Sequence, residues 1–305
     1  MRFICLLPFL ISGFSASAKD APVPPYTPIN ADLWERATEK SNAKDWLGFI
    51  DLCREYSKTD FKTIEGDEVR LLCVQALVGG GFTSAAIHLT LELIRRHPTS
   101  LPTTHALIAL EPALQNSNLD GDEWETAVQE VPLANLPPNI RSMVEYFRAL
   151  RLTRMKYYEW AKNAVKQMDP KSYWFARLEF YDAIDLFKDG HTQDAIVKFE
   201  DLLKRPSLPT SFTNIVTMQL ARLYFEQKDL DKAEKLYESY SSSSRDYGRS
   251  LLERAWIQYY RKDYSKALGL LTVLKASFFA GVRDPERYLL SGLIYRQLCQ
   301  FTPIK

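Results

Sequence analysis

Small residues recur at a regular spacing in the second half of the chain. Ala195, Ala233 and Ala267 lie 38 and 34 residues apart, and each follows a short polar turn. Another alanine precedes each of them by twelve residues, and a bulky residue follows each by four. The earlier alanines are Ala183, Ala221 and Ala255, and the bulky residues are Phe199, Tyr237 and Leu271. This spacing predicts a repeated helix–turn–helix unit.

Packing explains the spacing. Two antiparallel helices joined by a tight turn approach closely only where small side chains face each other, and bulky side chains one turn later fill the space toward the next pair. One hairpin cannot bury its apolar face alone, so several must stack. The chain has only 12 glycines and no convincing alternating strand pattern. We therefore predict an all-α solenoid of antiparallel helix pairs.

The pattern resembles the tetratricopeptide repeat, whose unit has about 34 residues. The best match runs from residue 214 onward, through Leu220-Ala221, Tyr224, Asp229, Ala233 and Tyr237. Residues 67–100 also fit, and residues 142–172 fit more weakly. The resemblance implies a right-handed superhelix in which the first helix of each pair lines a concave face.

The chain begins with the features of a secretory signal. Met1-Arg2 is a short positive end, the stretch from Phe3 to Phe14 is mostly apolar, and Ala16-Ser17-Ala18 has the small residues of a cleavage site. No later apolar run is long enough to span a bilayer. We expect cleavage near Ala18, export to the periplasm or cell envelope, and no transmembrane segment.

Four segments follow from these patterns. Residues 1–18 are the signal peptide, and residues 19–30 form a proline-rich leader that we expect to be extended and mobile. Residues 31–138 contain degenerate helix pairs. Residues 139–305 contain the repeats and end in an unpaired helix, which is either a cap, the start of a longer solenoid or a surface for a partner.

A stretch near the C-terminus is similar to large exported tetratricopeptide proteins of predatory and gliding delta-proteobacteria. The likeness is carried by Phe278-Phe279, Asp284-Pro285-Glu286, Tyr288-Leu289-Leu290 and Cys299. It implies an envelope protein.

Charge and cysteine content narrow the classes of partner. Removal of Arg2 with the signal leaves 38 basic and 38 acidic residues, and this balance argues against nucleic acid, which needs an excess of basic surface. The mature chain keeps Cys53, Cys73 and Cys299. Cys53 and Cys73 either meet across neighbouring helices or pack as small apolar residues.

No constellation of residues indicates catalysis. The four histidines are scattered, and neither a nucleophile elbow, a phosphate loop nor a C-x-x-C pair occurs. The acidic segment around Asp122 lacks the spacing of a calcium loop and is typical of a helix start. We predict no enzymatic activity, no catalytic residues, no cofactor and no metal.

The candidate site is the groove that the first helices would line. Positions two, five, nine and twelve of such a helix share one side. The Arg and aromatic residues on or beside this side are the types that dominate binding hot spots. They are Arg177, Phe180, Phe187, Arg222, Phe225, Arg249, Trp256, Tyr259 and Tyr260. The same aromatic side chains are equally typical of core filling between repeats.

These observations favour a scaffold that binds a protein or peptide partner through the groove. The alternatives are a structural segment of an envelope assembly that associates with itself through the C-terminal helix, and the helical domain of a cell-wall-acting enzyme. The lysine and asparagine clamp of the family for acidic chaperone tails is missing here, so that ligand is not implied.

Overall fold

A computed structural model describes residues 26–56, 63–115, 122–134, 136–240, 242, 244, 246–276, 279 and 285–300. The predicted signal peptide, the first part of the leader, Phe278, Asp284 and residues 301–305 lie outside them. No strand occurs in these ranges, and the helices follow one another as hairpins. The pairs are α1–α2 (Ala31–Asn42, Trp46–Tyr56), α3–α4 (Ile64–Gly79, Thr83–Arg96), α5–α6 (Leu101–Gln115, Asp122–Ala127), α7–α8 (Pro138–Arg154, Tyr158–Lys166), α9–α10 (Tyr173–Lys188, Thr192–Leu203), α11–α12 (Thr210–Glu226, Leu230–Glu238) and α13–α14 (Tyr247–Tyr260, Tyr264–Val273), followed by α15 (Glu286–Gln297).

The hairpins stack in chain order. In six of the seven pairs the first helix packs against its own second helix, whereas α6 packs mainly against α7 and α4, and second helices such as α10 and α12 pack against the next first helix. The predicted all-α solenoid of helix pairs is confirmed. The α5–α6 pair is irregular because its second member is short: α6 continues as a 3-10 turn at Val128–Glu130.

One turn geometry closes the hairpins. In the described turns the second residue after the first helix takes a positive φ, and the next backbone N–H donates to a carbonyl five residues back, as Asp229 does to Tyr224 at 2.9 Å. This is the Schellman ending of a helix. The left-handed residues are Lys44, Gly81, Lys156, Gly190, Lys228, Lys262 and Cys299.

The small residues of the repeat lie seven positions before these turns. They are Ala37, Val74, Ala149, Ala183, Ala221, Ala255 and Gly292. Apart from Gly292 they are buried, and Val74 is the only one larger than alanine. The small residue and the left-handed turn residue are therefore always separated by the same number of residues. This spacing brings the second helix back against the small residue of the first helix.

The irregular pair is tied to the regular repeats through a buried carboxylate. Oε1 of Glu111, on α5, accepts hydrogen bonds from Nε1 of Trp174 at 2.8 Å and from Nε2 of Gln115 at 2.7 Å. Trp174 is fully buried and stacks near Tyr146 and Phe147. Burial raises the pKa of Glu111 above its ordinary value. This contact connects α5 directly to α9.

The cysteines do not form a disulfide within the described ranges. Cys53 on α2 and Cys73 on α3 are half-buried beside the apolar cluster of the first two hairpins, and Cys299 is exposed. A hydrogen bond to Cys53, together with burial, raises the pKa of the Cys73 thiol.

Two glycine substitutions test the turn geometry. Gly190 has φ +87, whereas Gly269 lies exposed inside α14, where an added Cβ atom would meet open space. Gly190→Ala should cost about 1–2 kcal/mol because alanine resists the left-handed region. Gly269→Ala should stabilise by about 0.5–1 kcal/mol because it stiffens a helix interior. Urea denaturation of both variants measures this, and a shift of both midpoints in the same direction would contradict it.

Candidate functional site

A cavity opens on the first helices of the last repeats. Its volume is about 340 Å³, and it lies between α11, α13 and α15, with one side chain from α12. The lining residues are Arg222, Phe225, Tyr237, Arg249, Leu252, Glu253, Trp256, Tyr260 and Glu286. The cavity therefore brings together five of the nine predicted groove residues: Arg222, Phe225, Arg249, Trp256 and Tyr260.

Glu253 is the electrostatic centre of this cavity. Nε of Arg222 donates to both carboxylate oxygens at 3.1 Å, and its Nη2 donates to Oε1 at 2.5 Å. The Tyr237 hydroxyl donates to Oε2 at 2.5 Å, and burial together with this carboxylate raises the pKa of Tyr237. The carboxylate thus cross-links α11, α12 and α13 beneath the cavity.

The two arginines differ in what they can still bind. Arg222 is committed to Glu253 in a fork geometry that uses two of its nitrogens. Arg249 makes one longer contact, Nε to Oε1 of Glu253 at 3.3 Å, and its side chain is 62% exposed. Of the pair, Arg249 has donors available for a carboxylate on a ligand.

Aromatic rings form the apolar wall. The Phe225 and Tyr260 rings lie 5.4 Å apart, and the Trp256 ring lies 6.3 Å from Tyr260. Nε1 of Trp256 donates to Glu286 of α15 at 2.7 Å, which fixes the indole across the opening. The Lys228 ammonium lies 5.0 Å from the Tyr260 ring centroid, within cation–π range.

The other four predicted residues have packing roles. The Arg177 guanidinium lies over the rings of Tyr146 and Trp174. Phe180 is buried, and Phe187 packs against the same core. Tyr259 is half-buried beside Tyr264 on the following helix. For the three aromatic residues among them, these contacts are of the kind that the core-filling alternative describes.

Three polar lining residues were absent from the predicted set, and two had a readable signal. Glu253 follows Arg249 by four residues on one helix, which is the spacing of an i, i+4 ion pair. Glu286 lies six residues before Gly292, as Arg249 lies six before Ala255. Applying the same spacing to the last helix therefore identifies Glu286 as a groove position. Tyr237 shows only as a bulky core residue, since nothing local indicates that its hydroxyl reaches the cavity.

The N-terminal end of the same face is covered by the chain itself. Glu68 occupies the position of α3 that Arg249 occupies on α13, six residues before the small residue, and it is buried. Its carboxylate accepts hydrogen bonds from the backbone N–H groups of Ile29 and Asn30 at 3.1 Å. Burial raises the pKa of Glu68 despite these donors.

An aromatic contact holds the same segment in place. The Tyr26 ring lies 5.1 Å from Trp34 of α1 and 5.7 Å from His105 of α5. The leader's described end, residues 26–30, is thus anchored across three first helices, which its proline content alone did not predict. Among the described residues, the accessible part of this face therefore lies toward the C-terminal repeats.

The described part of the chain contains no cluster of three or more His, Cys, Asp or Glu side chains arranged to hold a metal ion. Among its helices, none combines the length and the apolar character that crossing a bilayer requires.

Comparisons with known proteins agree with the fold. Residues 217–243 match the family model of the tetratricopeptide repeat. A tetratricopeptide repeat protein from Parabacteroides merdae superposes with a TM-score of 0.53 at 14% identity, over 86% of this chain and 97% of that one. The chain is thus a helical solenoid of the tetratricopeptide type.

Two further solved structures are less similar. PilW, a widely conserved type IV pilus biogenesis factor, has a TM-score of 0.39 at 15% identity, over 73% of this chain and 89% of that one. The Cut9–Hcn1 hetero-tetramer of the APC/C has a TM-score of 0.44 at 12% identity, over 87% of this chain and 49% of that one. Among curated proteins, no sequence matches this chain.

Removing the central carboxylate tests the electrostatic account of the cavity. Glu253→Ala leaves the half-buried Arg222 and the buried Tyr237 hydroxyl without their acceptor, so the free energy of unfolding should fall by about 1–3 kcal/mol. Glu226→Ala, on the exposed side of α11, should change it by less than about 0.5 kcal/mol. Equal effects of the two substitutions in chemical denaturation would show that Glu253 does not organise this region.

Proposed function

We infer that this protein is an exported scaffold of the cell envelope that binds a protein or peptide through its concave groove, at the cavity between α11, α13 and α15. The observation that carries the proposal is the cavity itself, which combines an aromatic wall with an exposed arginine on the first helices. Its volume of about 340 Å³ lies in the range of ligand pockets.

The chemistry of the cavity indicates what a partner must present. An apolar side chain of the partner fits between Phe225, Trp256 and Tyr260, and a carboxylate beside it pairs with Arg249. The lining is held in place before binding by Glu253 and Glu286. A partner therefore meets a preorganised surface, which lowers the entropic cost of binding.

Export rests on the sequence of the first eighteen residues, whose charge, apolar stretch and small-residue site come in the order of a signal peptide. The likeness of the C-terminal stretch to exported delta-proteobacterial proteins agrees with an envelope location. A binding role fits a cavity whose two carboxylates hold its own lining, Glu253 through Arg222 and Glu286 through the Trp256 indole.

A second candidate, self-association through α15, is favoured by one observation. Tyr288 and Leu289 on this helix are 64% and 60% exposed. Adjacent large apolar side chains at such exposure are typical of a covered surface. A second copy of the chain would be the occupant.

Site-specific photo-crosslinking in the native cell tests both candidates. A photoreactive phenylalanine analogue is placed at Tyr260, at Tyr288, or at Val197, which is 47% exposed on the second helix α10 and serves as the matched control. We expect a partner crosslinked from Tyr260 and none from Val197. Adding Trp256→Ala should lower the Tyr260 crosslink at least about tenfold, as expected for a hot-spot aromatic.

Each contrary outcome has a definite meaning. Equal crosslinking from Val197, or a Tyr260 crosslink that a folded Trp256→Ala variant leaves unchanged, would contradict binding at the cavity. A crosslink from Tyr288 to a second copy, without a partner at Tyr260, would favour self-association instead.

A further inference from the structure

The tip of the α7–α8 hairpin exposes a continuous run of large side chains. Every residue from 153 to 160 is exposed, across the turn and the first residues of α8. Four of these side chains are at least half exposed: Met155, Tyr157, Tyr158 and Trp160, the last at 69%. Soluble proteins seldom leave such a group uncovered unless it binds something.

The fold does not require these side chains. At the equivalent turn position, α12 and α14 have Asp229 and Asp263, whose carboxylates cap the helix by accepting from the N–H groups of Lys232 and Lys266. Tyr157 makes no such side-chain hydrogen bond. The buried face of α8 is supplied by its small residues Ala161 and Ala164. Phe82 and His191, at the same position before α4 and α10, also make no such hydrogen bond. A polar capping residue would stabilise the turn before α8 better than tyrosine does, so helix capping does not account for the tyrosine.

The same region is strongly basic. Residues 151–171 contain six basic and two acidic side chains, a net charge of +4, whereas the whole chain has a net charge of +1. One of the six, Arg154, is ion-paired with Glu125 of α6 at 2.9 Å. The single acidic residue in the exposed run, Glu159, is paired with Lys162 at 2.8 Å. Lys156 at the turn and Lys166 on α8 form no ion pair with a carboxylate in the described part of the chain. The tip therefore presents cations beside aromatic rings.

We propose that the α7–α8 tip docks the protein peripherally on an anionic lipid bilayer. Trp and Tyr have an apolar body and a polar end, and they lie preferentially at the level of lipid headgroups. Lysines next to such a membrane-inserted group gain from the negative surface potential of anionic lipids. A hairpin tip is convex, and a deformable lipid surface closes around a convex feature, whereas a protein partner must supply a matching hollow.

Docking at this tip is separate from the proposed groove function. The tip lies on the turn of the α7–α8 hairpin, and the cavity is lined by residues of α11 to α15. Loss of membrane docking at the tip would leave partner binding at the cavity possible, and the reverse also holds.

Vesicle flotation with the full mature chain tests the proposal. Vesicles of phosphatidylcholine alone are compared with vesicles that also contain phosphatidylglycerol, at low and high salt. The protein should float with the anionic vesicles, less so at high salt because charges at the surface are screened, and hardly at all with neutral vesicles. The double variant Tyr158→Ala, Trp160→Ala should reduce the bound fraction by about tenfold or more.

Matched variants separate membrane docking from other causes. Lys156→Glu with Lys166→Glu should also abolish flotation. Leu47→Ala with Val273→Ala removes two apolar side chains that are 70% and 49% exposed on α2 and α14, outside both proposed surfaces, and should leave it unchanged. All four positions of the test variants are exposed, so unchanged far-UV circular dichroism verifies folding.

Three results would overturn the proposal. They are absence of flotation with anionic vesicles, equal flotation with neutral ones, or full flotation of the folded Tyr158→Ala, Trp160→Ala variant. A photoreactive residue at Trp160 that crosslinks to an acidic protein, while vesicles fail to bind, would identify a protein as the occupant of the tip.

Discussion

Close approach of two helices at a buried alanine is the contact on which the rest of this structure depends. In each regular hairpin a small residue lies seven positions before a left-handed turn residue, as Ala221 does before Lys228. The turn reverses the chain direction, and the small side chain allows the second helix to pack closely against the first. Repeating this unit produces a stack, and stacking leaves one side of every first helix free of its own partner.

That free side is used differently at the two ends of the chain. At α1, α3 and α5 it is covered by residues 26–30, with Glu68 binding their backbone N–H groups. At α11, α13 and α15 it is open, and Glu253 draws Arg222, Arg249 and a tyrosine hydroxyl into one network below a cavity. The same helix position thus carries an anchor for the chain's own leader in one repeat and a candidate ligand contact in another.

Sequence periodicity predicts the hairpins and the choice of helix face, because the spacing of alanines is a local property of the chain. It also places Arg222, Phe225, Arg249, Trp256 and Tyr260 on one face, and all five line the cavity. It cannot separate these from Phe180 or Tyr259, since exposure depends on how neighbouring repeats pack. The partners of Arg222 and Glu68 lie 31 and 39 residues away, so no local pattern shows them.

The most direct test is the stability of a chain in which a larger side chain replaces one of the buried alanines between paired helices. Ala233→Leu places a bulky side chain at the fully buried contact of α12, whereas Lys235→Leu adds the same side chain to the exposed side of that helix. Chemical denaturation should show a loss of about 1–3 kcal/mol for the first, as expected of overpacking, and a change within about 0.5 kcal/mol for the second. If the two variants unfold at the same denaturant concentration, close approach at small residues does not hold this solenoid together.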